Sequence, residues 1–287
     1  MSASLPKISV VTPSFNQGRF IEQTIVSVLD QNYPNLEYVV MDGGSTDNTV
    51  DTLREYERYL DFWISAPDNG QAHAINQGFA RSSGDILTWL NSDDRYEPGA
   101  LMEVADMFRS SPGVDVISGR CRLWYGDMRD RLMEPSPLRR LEDFLKINTN
   151  WRNSRLIVQP EAFFRKQAFV KAGPLREDLH YCFDQNLWMA MAKAGCVFTS
   201  VDRHWADLRM HEDQKTWELG KALAELARVA WDETRECWSS LDNPIAIADD
   251  IFSAVEALLM HEQNASQNVL QSTSYRVGRF LTKRKFW

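Results

Sequence analysis

The first third of the chain alternates two kinds of hydrophobic pattern. Lys7-Ile8-Ser9-Val10-Val11-Thr12 is a short apolar run, and Leu36 to Met41, Phe62 to Ser65 and Ile86 to Leu90 repeat its character. Short apolar runs bounded by polar clusters suit strands buried on both faces. Between them, apolar residues recur at helical spacing: Phe20, Ile21, Ile25, Val28 and Leu29, then Val50, Leu53 and Tyr56, then Ala72, Ile75 and Phe79. Tyr33-Pro34-Asn35 stops the first of these helices. The alternation predicts an α/β fold with a mostly parallel central sheet, right-handed crossovers and flanking helices.

Further along, the pattern predicts a helix over Pro98 to Arg109 (Leu101, Val104, Ala105, Phe108) and a strand over Val114 to Ser118. Arg120 to Arg131 reads as a β-excursion around Tyr125-Gly126-Asp127. Pro135 to Asn153 reads as a helical or mobile loop whose basic residues (Arg139, Arg140, Lys146, Arg152) form a solvated face, with anion contact as the alternative. Asp184 opens an amphipathic segment with Leu187, Trp188, Met191 and Ala192, where a lone Asp is expected as an N-cap. Trp217 to Cys237 and Ile245 to Gln263 predict two helices packed on the preceding part.

Each early strand runs into a polar loop: Thr12 to Asn16, Asp42 to Asp47 and Asn91 to Asp94. In a parallel sheet these loops share one edge, where ligands bind in open α/β folds. Gly43 and Gly44 permit close backbone approach, and Asp42 can accept from a base N–H. Asp93 and Asp94 are adjacent carboxylates, which repel unless they share a cation or are well solvated. Oxygen donors favour Mg²⁺ or Mn²⁺; the plain alternative is a solvated turn before a helix. Neither G-x-G-x-x-G after the first strand nor G-x-x-x-x-G-K-[ST] is present, which argues against a dinucleotide or P-loop site.

Composition narrows the classes. The 287 residues are 44% hydrophobic and 25% charged, as in ordinary globular proteins, and the net charge of −8 argues against a nucleic-acid partner. Cys121, Cys182, Cys196 and Cys237 are dispersed, which suggests free thiols in a reducing compartment. No signal-peptide pattern or long apolar window is seen, so a cytoplasmic location is expected. The segment Tyr275 to Trp287 has five basic and no acidic residues, interleaved with Tyr275, Phe280, Phe286 and Trp287. It reads equally as a frayed tail or as a peripheral anchor at the inner face of a membrane.

Ile8 to Asn16, Ser27 to Glu37, Asp42 to Asp47, Asp68 to Gly78 and Asn91 to Asp94 together resemble the nucleotide-binding half of family-2 glycosyltransferases with the GT-A fold. The resemblance covers about residues 7 to 215. It implies a GT-A domain over 1–215, split into a donor half (1–118) and an acceptor half (119–215), with a C-terminal helical extension over 216–287. It implies metal-dependent, inverting transfer of a sugar from a nucleotide-diphospho-sugar, most simply a UDP-sugar, to a glycan or lipid-linked acceptor in polysaccharide or glycoconjugate synthesis. Thr12, Pro13 and Asp42 would hold the nucleoside. Phe15, Asn16, Gly43, Gly44, Asp68, Gly70, Gln71, Asn76, Asn91 and Asp93 would line the donor site, and Gln159 would lie on the acceptor side. Asp94 and Asp93 would ligate Mn²⁺ or Mg²⁺. The family's Arg-x-His-x-x-x-Lys-Thr pattern matches Arg209, His211, Lys215 and Thr216, which implies His211 at the metal or diphosphate and Lys215 at the diphosphate. Asp184 would be the catalytic base; Phe183 stands where relatives often carry Glu. His73, His180, His204 and His261 read as structural.

Two other classes compete. A nucleotidyltransferase should carry a Gly-rich basic loop after the first strand, and Pro13 to Gly18 lacks one. An inactive glycan-binding module need not keep Asp93, Asp94 and Asp184 together. The chain is compatible with a homo-oligomer.

Overall fold

The computed structural model describes residues 4–125, 130–151, 153–215 and 218–260. The central sheet contains β1 (Ile8–Ser14), β2 (Leu36–Asp42), β3 (Phe62–Ser65), β4 (Ile86–Trp89), β5 (Arg95–Tyr96), β6 (Val116–Trp124), β7 (Arg131–Leu132), β8 (Ala162–Arg165) and β9 (Phe198–Arg209). Their order is β3-β2-β1-β4-β8-β6-β9-β5, with β7 paired to β6. The helices are α1 (Ile21–Leu29), α2 (Thr49–Tyr56), α3 (Gln71–Arg81), α4 (Ala100–Ser110), α5 (Leu141–Leu145), α6 (Lys166–Ala172), α7 (Phe183–Lys193) and α8 (Leu219–Glu236). Residues 244–260 form a further helix, α9.

The parallel run predicted from the alternation is β3-β2-β1-β4. Beyond β4 the sheet becomes mixed: β8 is antiparallel to both β4 and β6, while β9 is parallel to β6 and antiparallel to β5. Side chains alternate across this sheet, as a two-residue repeat requires. Ile8, Val10, Tyr38, Val40, Ile86 and Phe163 join one core layer with α1 and α4. Val11, Val39, Met41, Leu87, Trp89 and Phe164 join the other, with α3 and α7. That second layer also takes Leu223, Leu226 and Ala230 of α8 and Ile247, Ile251 and Ala254 of α9. The C-terminal helices therefore share a core with the sheet.

Several boundaries moved. On the acceptor side, Gln159–Glu161 winds into a 3₁₀ turn around Pro160, and strand β8 begins only at Ala162. Strand β6 runs on to Trp124 and the β-excursion is its pairing with β7; residues 126–129 of the expected turn lie outside the described residues. In the 135–153 loop, Arg139 turns inward onto Ser136 O, Leu138 O and Ser200 Oγ, and Arg140 pairs with Asp242. These two guanidiniums already have partners, so the anion-contact alternative loses them. Arg152, Thr216, His261 and the 275–287 segment lie outside the described residues. Among the described residues no helix is long and apolar enough to cross a membrane.

Helix α3 reaches the sheet at Gly78, where a Cβ would sit 2.4 Å from Val11 Cγ1. This close approach brings α3, and Gln71 at its start, down to the strand ends. Gly78→Val is expected to lower the denaturant midpoint, with an overpacking cost of about 1–3 kcal/mol. Chemical unfolding with an unchanged m-value would check it.

Candidate functional site

Three strand ends meet at one edge, as the alternation requires. In register, Ser14 lies beside Asp42, and Val11 beside Trp89. The first two loops are fastened together by Asn16, which tolerates its left-handed φ of 53° as Asn commonly does. Asn16 N donates to Ser45 Oγ (2.7 Å), and Asn16 Oδ1 accepts from Thr46 N (2.9 Å). Phe15, just before it, is 60% exposed. Thr12 is buried against Tyr38, with 3.1 Å between their hydroxyls.

Asp42 is 2% exposed and organises its own loop. Its carboxylate accepts from Gly44 N (3.2 Å), Ser45 N (2.9 Å), Ser45 Oγ (2.5 Å) and Ser65 Oγ (2.6 Å). Gly43 sits so near Asp68 that a Cβ would approach Asp68 Oδ2 at 3.0 Å, and Gly44 has a φ of +83°. Asp68 Oδ1 accepts from Gly70 N (2.7 Å), which sets the start of α3.

From there a polar chain crosses the edge. Lys215 Nζ donates to Gln71 Oε1 (3.4 Å), Gln71 Nε2 to Asn91 Oδ1 (2.8 Å), and Asn91 Nδ2 to Asp94 Oδ2 (3.4 Å). Residues far apart in sequence are thereby tied to one carboxylate. Asp94 is 2% exposed. Burial, and then the neighbouring Asp93 charge, push its carboxyl well above the usual range, against the pull of Arg209 N (3.0 Å) on Oδ1. Asp93 Oδ2 lies 3.0 Å from His211 Nε2. Arg209 holds the turn from outside: its Nε donates to Asp93 O (2.9 Å) and its guanidinium lies 4.1 Å from the Trp124 ring and 4.8 Å from that of Phe20.

Asp184 approaches from the other layer. Helix α7 docks on the end of β4 by stacking Trp188 on Trp89, with ring centroids 5.8 Å apart. Gln159 Nε2 donates to Trp89 O, and Gln185 Nε2 donates to Ile157 O (3.1 Å). These bonds link the residue beside Asp184 to the strand that delivers Asp93 and Asp94. Burial pushes the Asp184 carboxyl up to about 6, and hydrogen bonds from Gln185 resist the rise.

Two expectations are corrected. Asp184 does not cap its helix: Cys182 is the N-cap, and Asp184 Oδ1 accepts from Gln185 N (2.7 Å) within the first turn. Asn76 is not turned to the strand-end loops. Its amide donates to Leu175 O (2.9 Å) and Glu177 Oε1 (2.9 Å) and accepts from Leu175 N (2.9 Å), so it braces α3 against the segment before α7. Sequence reasoning left Gln23 and Thr24 unassigned. Thr24 Oγ1 donates to Asp94 O (2.6 Å), and Gln23 Oε1 accepts from Arg209 (2.6 Å). Their positions on α1 carry no motif signal.

Among the described residues, one set of three ligating atoms falls within 4.8 Å: Glu97, His204 and Asp207. It lies beside β5 and β9, and its charge is already matched. Asp207 bonds Arg95 Nε (2.7 Å), Arg122 Nε (2.8 Å) and His204 Nε2 (2.9 Å), so this cluster reads as an ion-pair network and His204 as structural.

A curled mixed sheet with ligand loops at the ends of β1, β2 and β4 is the GT-A architecture of nucleotide-sugar enzymes. The comparisons agree. The chain belongs to glycosyl transferase family 2, whose family model matches residues 9–173, and it is a glycosyltransferase. An uncharacterized glycosyltransferase of Mycobacterium tuberculosis is 32% identical over 198 residues, which is 66% of this chain and 70% of that protein. The structure of Staphylococcus aureus TarS 1–349 in complex with UDP-GlcNAc superposes with a TM-score of 0.63 at 19% identity, covering 79% of this chain and 66% of that one. The mannosyltransferase PcManGT of Pyrobaculum calidifontis, in complex with GDP-Man and Mn²⁺, gives a TM-score of 0.60 at 17% identity over 96% of this chain and 81% of that one.

Proposed function

We propose that this enzyme moves a sugar, with inversion, from a nucleotide-diphospho-sugar to a hydroxyl of a glycan or lipid-linked acceptor. The observation that carries this is the adjacent acid pair Asp93–Asp94, of which Asp94 is buried and tied through Asn91 and Gln71 to Lys215. UDP-sugars are the donor favoured here, and the UDP-GlcNAc and GDP-Man bound by the two structural relatives support the donor class. Thr12, Pro13 and Asp42 hold the nucleoside, Gly43 and Gly44 let the backbone approach it, and Lys215 meets the diphosphate. The donor half spans 1–118, the acceptor half 119–215 and the helical extension 216–287.

The chemistry of the donor set suits a hard divalent cation, although the ligating atoms of Asp93, Asp94 and His211 are not gathered within the 4.8 Å that Glu97, His204 and Asp207 reach. Asp94 is buried beside a second carboxylate with no cationic side chain bonded to its own oxygens among the described residues, and His211 adds an imidazole nitrogen at Asp93. The two carboxylates suit Mn²⁺ or Mg²⁺. Asp94, Asp93 and His211 would hold the ion, which when bound neutralises charge on the leaving diphosphate. Asp184 takes the proton of the attacking hydroxyl as that oxygen bonds the anomeric carbon and the diphosphate departs from the opposite face.

Calorimetry tests the donor site. UDP or GDP is expected to bind at least about tenfold more tightly in Mn²⁺ than in EDTA, a difference of ~1.4 kcal/mol. Asp94→Ala should remove that difference. Asp42→Ala should weaken nucleotide binding and keep it. Equal affinity in Mn²⁺ and EDTA would overturn the metal role.

A further inference from the structure

Helix α7 carries Asp184 in its first turn, yet it has no side-chain cap of its own. The segment entering it presents three consecutive backbone N–H groups to a single carboxylate on α8. Glu225 Oε1 accepts from His180 N (2.9 Å), and Oε2 accepts from Tyr181 N (2.7 Å) and Cys182 N (2.9 Å). Charge-assisted bonds of this kind are roughly twice as strong as neutral ones. Burial alone would raise the Glu225 carboxyl; the three N–H groups and the Cys182 thiol outweigh it and hold the group below its ordinary range. A carboxylate just ahead of a helix N-terminus also opposes the positive end of the helix dipole. The grip extends along the pair of helices. Tyr181 OH bonds Glu218, and at the far end of α7 Lys193 Nζ meets Glu233 and Glu236 at 2.8 Å each.

On its other side α7 is fixed by the Trp89–Trp188 stack and by Gln185 on Ile157 O. Those contacts set its distance from the strand end but leave the entry to its first turn to α8. Asp184 is two residues past the last N–H that Glu225 holds. Its own carboxylate is bonded to Gln185, and among the described residues the three N–H groups of 180–182 share Glu225 as their acceptor.

We propose that Glu225 is a positioning residue for the transfer reaction: it clamps the turn at 180–182 so that α7 presents Asp184 to the attacking hydroxyl, and the C-terminal helical extension thereby completes the active site. This rests on Asp184 being the base. It gives the extension a part in catalysis through α7, by a clamp that lies outside residues 9–173 that the family model matches.

The test uses the full chain and whichever UDP- or GDP-hexose the wild-type enzyme turns over, with water as acceptor and nucleotide release as readout. Glu225→Ala is expected to lower kcat by about 10–100-fold, the range in which a misplaced catalytic group falls. KM for the nucleotide sugar and UDP affinity in Mn²⁺ should stay near wild type. Glu225→Gln, whose amide oxygen still accepts, should recover part of kcat, and amide exchange at 180–182 should quicken in the order wild type, Gln, Ala. Wild-type kcat in Glu225→Ala alongside an inactive Asp184→Asn overturns the positioning role and leaves the base in place. Parallel loss of kcat and UDP affinity in both Glu225 variants also overturns it, because that marks a purely structural residue. Turnover retained in Asp184→Asn removes the base reading, and this proposal with it.

Discussion

Asp184→Asn is expected to lower kcat for sugar transfer by about 10²–10⁴-fold, the usual worth of a positioned base, with nucleotide affinity unchanged. The side chain sits in the first turn of α7, bonded to Gln185 N and Gln185 Nε2, and Asn keeps the oxygen that accepts the backbone bond. Burial places its carboxyl at about 6. The wild-type rate should therefore be level above that pH and fall about tenfold per unit below it, as the base is lost to protonation. Stability has the opposite sign. A carboxyl raised from 3.8 to about 6 contributes stability that is present below 3.8 and lost as pH rises through about 6. Keeping it ionised costs about 3 kcal/mol at neutral pH, from 1.36 kcal/mol per unit. The Asn variant should thus melt higher than wild type at pH 8 and show little difference at pH 4. Stopped-time assays across pH, with melting curves on the same samples, check both halves. Near wild-type turnover at pH 8 would place the base elsewhere.

Asp207→Ala is expected to destabilise the fold strongly. Its side chain is fully buried between β6, β9 and β5, and accepts from Arg95, Arg122 and His204. Burial opposes its charge, but those three partners hold its carboxyl far below the ordinary range. A depressed carboxyl contributes stability above its unfolded value and loses it only in strong acid. Removing one partner of a buried pair typically costs about 3–5 kcal/mol. The arginines here are about one-third exposed or less, at 33% and 28%, and keep some water, which favours the lower end. A loss of about 3 kcal/mol should lower Tm by roughly 5–10 °C in a chain of this size. Because β9 also delivers Arg209 N to Asp94, nucleotide affinity should fall in the same variant. A melting temperature within a degree of wild type would show the network to be worth little.

The parallel half of the sheet was legible because each strand is a compact apolar run followed by a helical period. The strand-end loops were legible because Asp42-Gly43-Gly44 and Asn91 to Asp94 fall where such strands must end. Strand β9 was not legible. Its middle, Asp202-Arg203-His204, is polar, and its partner β6 meets it through two register shifts. The bonds that shape the acid pair were hidden for a different reason. Arg209 N and Thr24 Oγ1 reach Asp94 through backbone atoms of one partner or the other, and a backbone atom leaves no residue-type signature. Asn76 shows the limit of helical spacing. The period places it on α3, but only the fold decides that it faces Leu175 and Glu177. Capping was misread at Asp184 because the acceptor that serves the start of α7 is Glu225, on another helix.

The strand order has a consequence for synthesis. A ribosome delivers β1 to β4 first, and these can pair among themselves. The outer edge of β4, however, is closed by β8, which begins some 70 residues later. At about 5–20 residues per second, that edge stays open for on the order of 4–15 s. A four-residue strand of buried character, Ile86–Trp89, is then an unpaired template of the sort that invites association with other chains. The arrival of Gln159 and β8 ends this interval in one step, since the same segment that covers the edge also bonds Trp89 O. Nascent chains stalled before residue 160 should be the aggregation-prone ones, and chaperone demand should fall once translation passes β8.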